Sequence, residues 1–304
     1  MNQIDTKDIS VGVAAGSGAY LLWGVLPIYW KLVDSVPAME VLAHRIVWSL
    51  LFMIIMFIAM RRVNQLTYDI RYLLTHPKII GGITLSAFFI SINWVLFIWA
   101  VANERIVEVS LGYYINPLFN VLLGVLFFKE KLIFWQKVSV FLALIGVSIL
   151  TFSFGQVPYI ALVLALSFGM YGLVKKQTKI GAMTGLTIET LLLMPIALGF
   201  LIWVHDDLSA VFYVKDPGTA YLLIGSGIIT AIPLLLFGIG AKRIPFSFIG
   251  FLQYIAPTIM LMLGVLLYDE AFTSAHAISF SCIWGGLIIY SFAKTRFMRQ
   301  IAPK

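Results

Sequence analysis

VEVSLGYYINPLFNVLLGVLFFKE runs from Val107 to Glu130, and SFIGFLQYIAPTIMLMLGVLLYDE runs from Ser247 to Glu270. At an offset of 140 residues Tyr114 falls on Tyr254, Ile115 on Ile255 and Pro117 on Pro257. Leu123-Gly124-Val125-Leu126 falls on Leu263-Gly264-Val265-Leu266, and Glu130 on Glu270. Each copy holds about 20 apolar residues without charge, the length of a helix that crosses a bilayer core. Each carries a Pro about a third of the way along and a carboxylate at its far end. Two matched, Pro-interrupted hydrophobic segments are the sequence mark of a transporter's binding site.

The rest of the chain suits such a setting. Hydrophobic residues make up 61% and charged residues 12% of the 304, against about 25% charged in soluble domains. The single cysteine, Cys282, excludes an internal disulfide and a cysteine-based metal cluster. The net charge of +7 comes from Lys and Arg spread over short loops, which fits membrane orientation and not a nucleic-acid surface. The N-terminus, with Asp5, Lys7 and Asp8, lacks the pattern of a cleaved secretory signal and is expected to be retained.

Ten apolar spans follow from the pattern: Val11–Leu32, Met39–Met60, Ile79–Ala100, Val107–Phe127, Phe134–Phe152, Tyr159–Val174, Met183–Val204, Thr219–Gly240, Ser247–Leu267 and Ser274–Phe292. Gly155 to Pro158 divides the fifth from the sixth. Within the long connection Arg61 to Lys78, Tyr68–Leu74 predicts a short interfacial helix. With the N-terminus in the cytoplasm, 17 of the 21 Lys and Arg fall inside; Lys31, Arg105 and Lys215 fall outside and Arg45 within a span. Among the inside set are Lys175 and Lys176, read as loop residues. This positive-inside bias predicts a multi-pass protein of the cell (cytoplasmic) membrane with both termini cytoplasmic. Spans four and nine lie five crossings apart, so the second copy is upside down. The expected fold is an all-α integral membrane protein, ten transmembrane helices arranged as two inverted five-helix repeats, residues 1–154 and 155–304. Further echoes at an offset of 145 pair Trp23 with Phe168, Lys31 with Lys176 and His44-Arg45 with Glu189-Thr190.

Several motifs in one order carry a family resemblance: AHRIVWS (Ala43–Ser49), NWVLFIWAVAN (Asn93–Asn103), SLGYYINPLFNVLLG (Ser110–Gly124), GLTIETLLLMP (Gly185–Pro195) and GFLQYIAPT (Gly250–Thr258). The chain resembles RarD-type permeases of the EamA group, in the drug/metabolite transporter superfamily, over nearly its whole length. That resemblance implies ten helices in two inverted halves, a central cavity and movement of small metabolites or drugs. Export is the direction it implies.

Two charges inside spans are the most informative side chains. Arg45 and Glu189 each lie about six residues inside a helix, roughly 9 Å along its axis, and inversion sends them toward opposite faces. Such residues face a bundle interior or a wet cavity; they serve coupling or gating, or anchor helices as structural polar groups. His44 adjoins Arg45 as a candidate proton relay, against the simpler reading of a hydrogen-bonded neighbour. Around the two helix-breaking prolines, Pro117 and Pro257, stand Tyr113, Tyr114, Asn116, Gln253 and Tyr254. Each proline removes a backbone donor and frees a carbonyl one turn earlier, so these side chains are expected to line one midplane cavity; stitching helices together is the other reading. Asn93, opposite Pro233 at an offset of 140, joins the candidates. Trp23, Trp94 and Tyr171 lie deep enough to stack on a substrate or to fill a helix interface. Trp30 and Trp99, near span ends, read as interfacial belt residues. Glu130 and Glu270 read as groups that fix helix termini.

No Walker-type GxxxxGK[ST], H-E-x-x-H, Cys/His cluster or G-x-S-x-G occurs, so no ATP drive, metal chemistry or hydrolase is signalled. The reading is a secondary transporter of amino-acid-like or amphiphilic organic solutes, not an enzyme, working by alternating access. It needs no cofactor or metal, meets a small-molecule substrate and the lipid bilayer, and binds no nucleic acid. Protons are the candidate coupling ion, with Glu189 as the carboxylate that would exchange them; a homodimer is left open. The alternative from another class is an integral-membrane enzyme or a sensor for a lipid-soluble molecule.

Overall fold

A computed structural model gives the architecture for residues 6–103, 105–153, 155, 157–205, 217–267, 274–293, 295, 298 and 300. The described residues form twelve helices and no strand: α1 (Thr6–Lys31), α2 (Ala38–Ala59), α3 (Val63–Leu74), α4 (Pro77–Ala102), α5 (Ile106–Phe128), α6 (Phe134–Ser153), α7 (Tyr159–Gln177), α8 (Ala182–His205), α9 (Pro217–Arg243), α10 (Phe246–Gln253), α11 (Ile255–Leu267) and α12 (Ser274–Phe292). Ten segments are long and apolar enough to cross a membrane, with α10 and α11 forming one of them. The expected ten spans are all present. The expected interfacial helix is longer than its apolar core suggested, starting at Val63.

The two proline-bearing spans behave differently. Helix α5 continues through Pro117, whereas the ninth span breaks at Tyr254, between α10 and α11. Pro257 has no N–H to offer the Gln253 carbonyl four residues back. The Tyr254 N–H instead donates to Phe251 O at 3.2 Å, a tightened last turn. Just before that break α10 crosses α5 with its backbone: a Cβ on Gly250 would lie 2.7 Å from Pro117 O. The two spans thus cross at Pro117 and Gly250, seven residues before Pro257, and not proline to proline.

Carboxylates at both ends of α5 lock its neighbours. Glu130 accepts from the Phe246 and Ser247 amides at 2.6 and 2.9 Å and from Ser247 Oγ at 2.6 Å, satisfying orphan donors at the start of α10. Buried Glu108 accepts from the Ile160 amide at 3.4 Å, at the start of α7, and pairs with Arg105 at 3.0 Å. Glu270, the sequence counterpart of Glu130, lies outside the described residues. Lysines do the converse at helix C-termini: Lys176 Nζ donates to Ala241 O and Ile244 O, and Lys242 Nζ to Thr178 O and Ile180 O.

Lipid supplies no hydrophobic drive between helices, so close packing must hold them. Where α6 lies along α12, a Cβ on Gly146 would stand 2.6 Å from Ser279 O, and one on Gly286 2.8 Å from Ser139 O. Helix α1 packs on α9, α4 on α7, α5 on α7 and α10, and α2 on α8 and α9. Large apolar side chains such as Ile55, Ile58, Phe141, Ile196 and Leu266 point outward, the surface a bilayer would cover.

Candidate functional site

Two polar clusters sit inside this bundle, one near each end. The first is centred on Glu189, seven residues into α8. Its Oε2 accepts from Lys175 Nζ at 2.7 Å, and its Oε1 from Ser86 Oγ at 2.6 Å. The Tyr171 hydroxyl donates to Oε2 at 3.4 Å, and Lys175 Nζ lies 4.9 Å from the Tyr171 ring centre. The side chains of Lys175 and Glu189 are 4% and 5% exposed. A buried ion costs several kcal/mol in desolvation, which only a close partner and further hydrogen bonds return; this carboxylate has all three. The lysine is placed there by helix geometry. Phe168, Tyr171 and Lys175 follow at intervals of three and four along α7, on one face.

Above this pair opens a cavity of about 570 Å³, walled by Tyr68, Asp69 and Tyr72 of α3, the 176–181 segment and Lys242. Asp69 accepts from Thr184 Oγ1 at 2.5 Å and so ties α3 to α8. Thr178, Ile180, Gly181 and Lys242 also line a second space of about 10 Å³ that reaches Ser86, Lys175 and Glu189. That is room for about one water, so the ion pair closes the floor of the vestibule.

The second cluster is centred on Arg45, seven residues into α2. Its Nε donates to Thr230 Oγ1 of α9 at 2.9 Å. The guanidinium lies 4.5 Å from the Trp30 ring centre and 5.4 Å from that of Trp94. Phe97 and Trp94 of α4 pack against the cluster that holds Ala43 and Ile46 of α2, and Tyr113 of α5 adjoins this group through Phe97. Tyr113 is 36% exposed and meets Phe97 edge-on at 6.4 Å; Arg45, Trp30 and Trp94 are half-buried. His44, the next residue along α2, is buried.

Between the clusters stands a packed group of rings. Trp23 meets Phe168 edge-on at 5.8 Å and Tyr20 at 5.4 Å, while Tyr171 stacks on Phe237 at 5.8 Å with the planes 17° apart. Trp23 and Tyr171 thus belong to an aromatic plug in the main core.

The remaining predicted residues divide. Asn93 Nδ2 donates to Leu164 O at 3.0 Å and Ser167 Oγ at 3.1 Å, stitching α4 to α7. Asn116 Nδ2 donates to Ala165 O at 3.3 Å, stitching α5 to α7, with its buried Oδ1 unpaired among the described residues. Gln253 Oε1 accepts from Asn120 Nδ2 at 2.8 Å where α10 crosses α5. Tyr114 and Tyr254, expected to converge on the midplane cavity, lie elsewhere: Tyr114 packs edge-on to Phe280 of α12 at 5.3 Å, and Tyr254 sits in the core between α5, α6, α10 and α12. Successive helical residues point about 100° apart, so Tyr113 turns toward Phe97 of α4 and Tyr114 toward Phe280 of α12.

Four residues carry more than their sequence reading gave them. Lys175, counted as a loop cation, is buried as the partner of Glu189. Trp30, read as a belt residue, stacks on Arg45. Ser86 and Thr230, one hydroxyl for each charge, drew no attention; they lie 144 residues apart, close to the repeat offset.

The comparisons with known proteins agree with one another. The model of the EamA-like transporter family matches residues 10–152 and again 158–292. The chain is 46% identical over 299 residues to the uncharacterized transporter YojE of Bacillus subtilis, covering 98% of each chain. It is 42% identical over 289 residues to protein RarD of Streptomyces exfoliatus, covering 95% of this chain and 90% of that one. A solved crystal structure, 20% identical, superposes with a TM-score of 0.70 over 95% of this chain and 99% of the other, a likeness of fold alone.

Proposed function

Since this chain belongs to the EamA-like transporter family and is a multi-pass membrane permease, we propose that it moves small amphiphilic organic solutes across the cytoplasmic membrane by alternating access between two inverted halves, and that it exports them. The observation that carries this reading is the pair of polar clusters. Arg45 and Glu189 each stand seven residues into a helix, and each draws a hydroxyl from across the bundle, Thr230 for one and Ser86 for the other. Trp30 of α1 and Lys175 of α7 occupy corresponding places at the offset of 145. The two family-model matches and the exchange of packing partners, α1 on α9 and α4 on α7, support the repeat. In an inverted repeat such a pair forms a gate at each end, and rocking the halves opens one as the other closes.

Proton coupling or simple facilitation is the drive proposed. Glu189 was expected to exchange protons provided no cation lay near; Lys175 is that cation.

The experiment is substituted-cysteine labelling. Cys282→Ser removes the one native cysteine, and a cysteine is then placed at Ser86 or at Thr230. In right-side-out and inverted vesicles the two positions should label from opposite faces, and a condition that raises labelling of one should lower that of the other. Simultaneous labelling of both from one face would refute alternating access. Counterflow of a solute panel in proteoliposomes, with no flux for any member, would favour a membrane-bound sensor or enzyme instead.

A further inference from the structure

We infer that Arg45, held between Trp30 and Trp94, is the carboxylate-recognising centre of the substrate site, so that the solute carried is a small organic monoanion with a planar or apolar body. This rests on the transport reading above and adds to it a substrate class.

The argument begins with the difference between the two clusters. Glu189 has a counter-ion supplied by the chain itself, Lys175, and the pair is neutral. Among the described residues Arg45 has none: its polar partner is a neutral hydroxyl, and its other neighbours are rings. A cation kept at that depth without a counter-ion is costly, and such residues mark substrate or ion paths. The geometry also leaves the right part of the guanidinium for a ligand. Nε is engaged by Thr230 Oγ1, which leaves the two terminal nitrogens to meet a carboxylate with two parallel hydrogen bonds. The tryptophans hold the plane of the guanidinium in place before any ligand arrives, which reduces the ordering cost of binding.

The surroundings decide the rest of the ligand. The faces of Trp30 and Trp94 already attract one cation, so a second, on an amine, would meet repulsion from Arg45. One guanidinium matches one carboxylate. Tyr113 and Phe97 stand on the neighbouring wall and offer ring faces and a hydroxyl to an apolar body, the usual make-up of a ligand pocket. Arg45 has a simpler role as a helix anchor through Thr230, and the test must separate that from ligand recognition.

The purified full-length protein in detergent is titrated by calorimetry with 3-phenylpropionate, its amide and 3-phenylpropylamine, with hexanoate as a body without a ring. The acids should bind; the amide and the amine should bind at least about tenfold more weakly, since charge-assisted bonds are worth more than neutral ones. Arg45→Lys keeps the charge and the fold but not the fork, and should weaken 3-phenylpropionate about tenfold; Arg45→Gln should abolish its binding. Thr230→Val, which removes the anchor and keeps the guanidinium, should still bind the acid measurably, where Arg45→Gln does not, and Gly81→Ala, with open space around it, should bind it as the parent does. The inference is overturned if the amide or amine binds as well as the acid, if no acid binds, or if acid affinity survives both arginine substitutions. Acid binding that is lost with Arg45, together with no flux of any panel solute in proteoliposomes, would refute the transport reading and leave the anion site standing. Flux of amines or neutral solutes but not acids would refute the anion site and leave transport standing.

Discussion

Cutting the Lys175–Glu189 pair tests whether the gate at the vestibule floor is held by charge. Both side chains are almost fully buried, their atoms are 2.7 Å apart, and the carboxylate has two further donors, Ser86 and Tyr171. Removing one member of such a pair leaves the other charge dry and uncompensated, at a cost of about 3–5 kcal/mol. In Glu189→Gln the lysine keeps only the Tyr171 ring, which returns about 1 kcal/mol, so the net loss should be about 3 kcal/mol. In Lys175→Met the carboxylate keeps its two hydroxyl donors, and the loss should be similar. Replacing both by methionine removes both charges together, so the double variant should recover to within about 1–2 kcal/mol of the parent. The assay is equilibrium unfolding in mixed micelles followed by circular dichroism, arranged as a double-mutant cycle, with a coupling energy of about 2–3 kcal/mol expected. Single variants within about 0.5 kcal/mol of the parent, or a double variant whose loss is the sum of the singles, would show that the pair does not hold the gate.

Further outcomes follow from the same structure. A reporter fused after Lys304 should read as cytoplasmic, and one between Asp206 and Asp216, outside the described residues, as external; opposite readings would invert the whole arrangement. Gly250→Ala places a methyl 2.7 Å from Pro117 O and should cost about 1–3 kcal/mol in the same unfolding assay, whereas Gly81→Ala, with open space around it, should be neutral or mildly stabilising. Glu130→Gln weakens three hydrogen bonds to the start of α10 and should cost about 1–2 kcal/mol; no change would mean that α10 is seated by packing alone. If the solute is a monoanion moving alone, an imposed membrane potential should shift its steady-state distribution by roughly 50-fold per 100 mV, from about 2.3 kcal/mol per charge; a distribution blind to potential would require a co-transported cation.

Much of the fold was legible because lipid imposes a simple code. Apolar length gives the spans, and short polar breaks give the turns. The break at Tyr254 and the unbroken course of α5 were not legible, because both sequences carry the same proline. What differs is tertiary: α10 presses its backbone at Gly250 onto α5, and α5 is held at each end by its own glutamates. For the candidate site, charge within a span was a sound guide to Arg45 and Glu189. Their partners were hidden for a definite reason. Lys175 adjoins Lys176 at a span end, where a lysine is usually a loop residue, and only its helical spacing from Phe168 and Tyr171 turns it inward. Tyr113 and Tyr114 were inseparable by composition; one residue of helical rotation, about 100°, turns one toward α4 and the other toward α12.

The two ends of the bundle do not hold equally firmly, and this bears on which end opens first. Opening the vestibule end means parting a hydrogen-bonded ion pair in a dry setting, a loss of several kcal/mol unless water or a ligand replaces the contact. At the other end Arg45 is held by one neutral hydroxyl and two cation–π faces, each worth about 0.5–2 kcal/mol, beside the Ser49–Gly227 and Tyr29–Leu222 hydrogen bonds that tie α2 and α1 to α9. On the proposed alternating-access reading, the ion pair is what holds the conformation described here closed at the Lys175–Glu189 floor. A solute shifts it only by binding the vestibule-open form more tightly than this one. A carboxylate entering from the vestibule supplies such a difference, because it can offer Lys175 a new partner as Glu189 withdraws, before it passes the aromatic plug to Arg45. On the proposed path the anion would meet a cation at each gate, so that neither Lys175 nor Arg45 would be left buried without a partner if the halves rock as proposed.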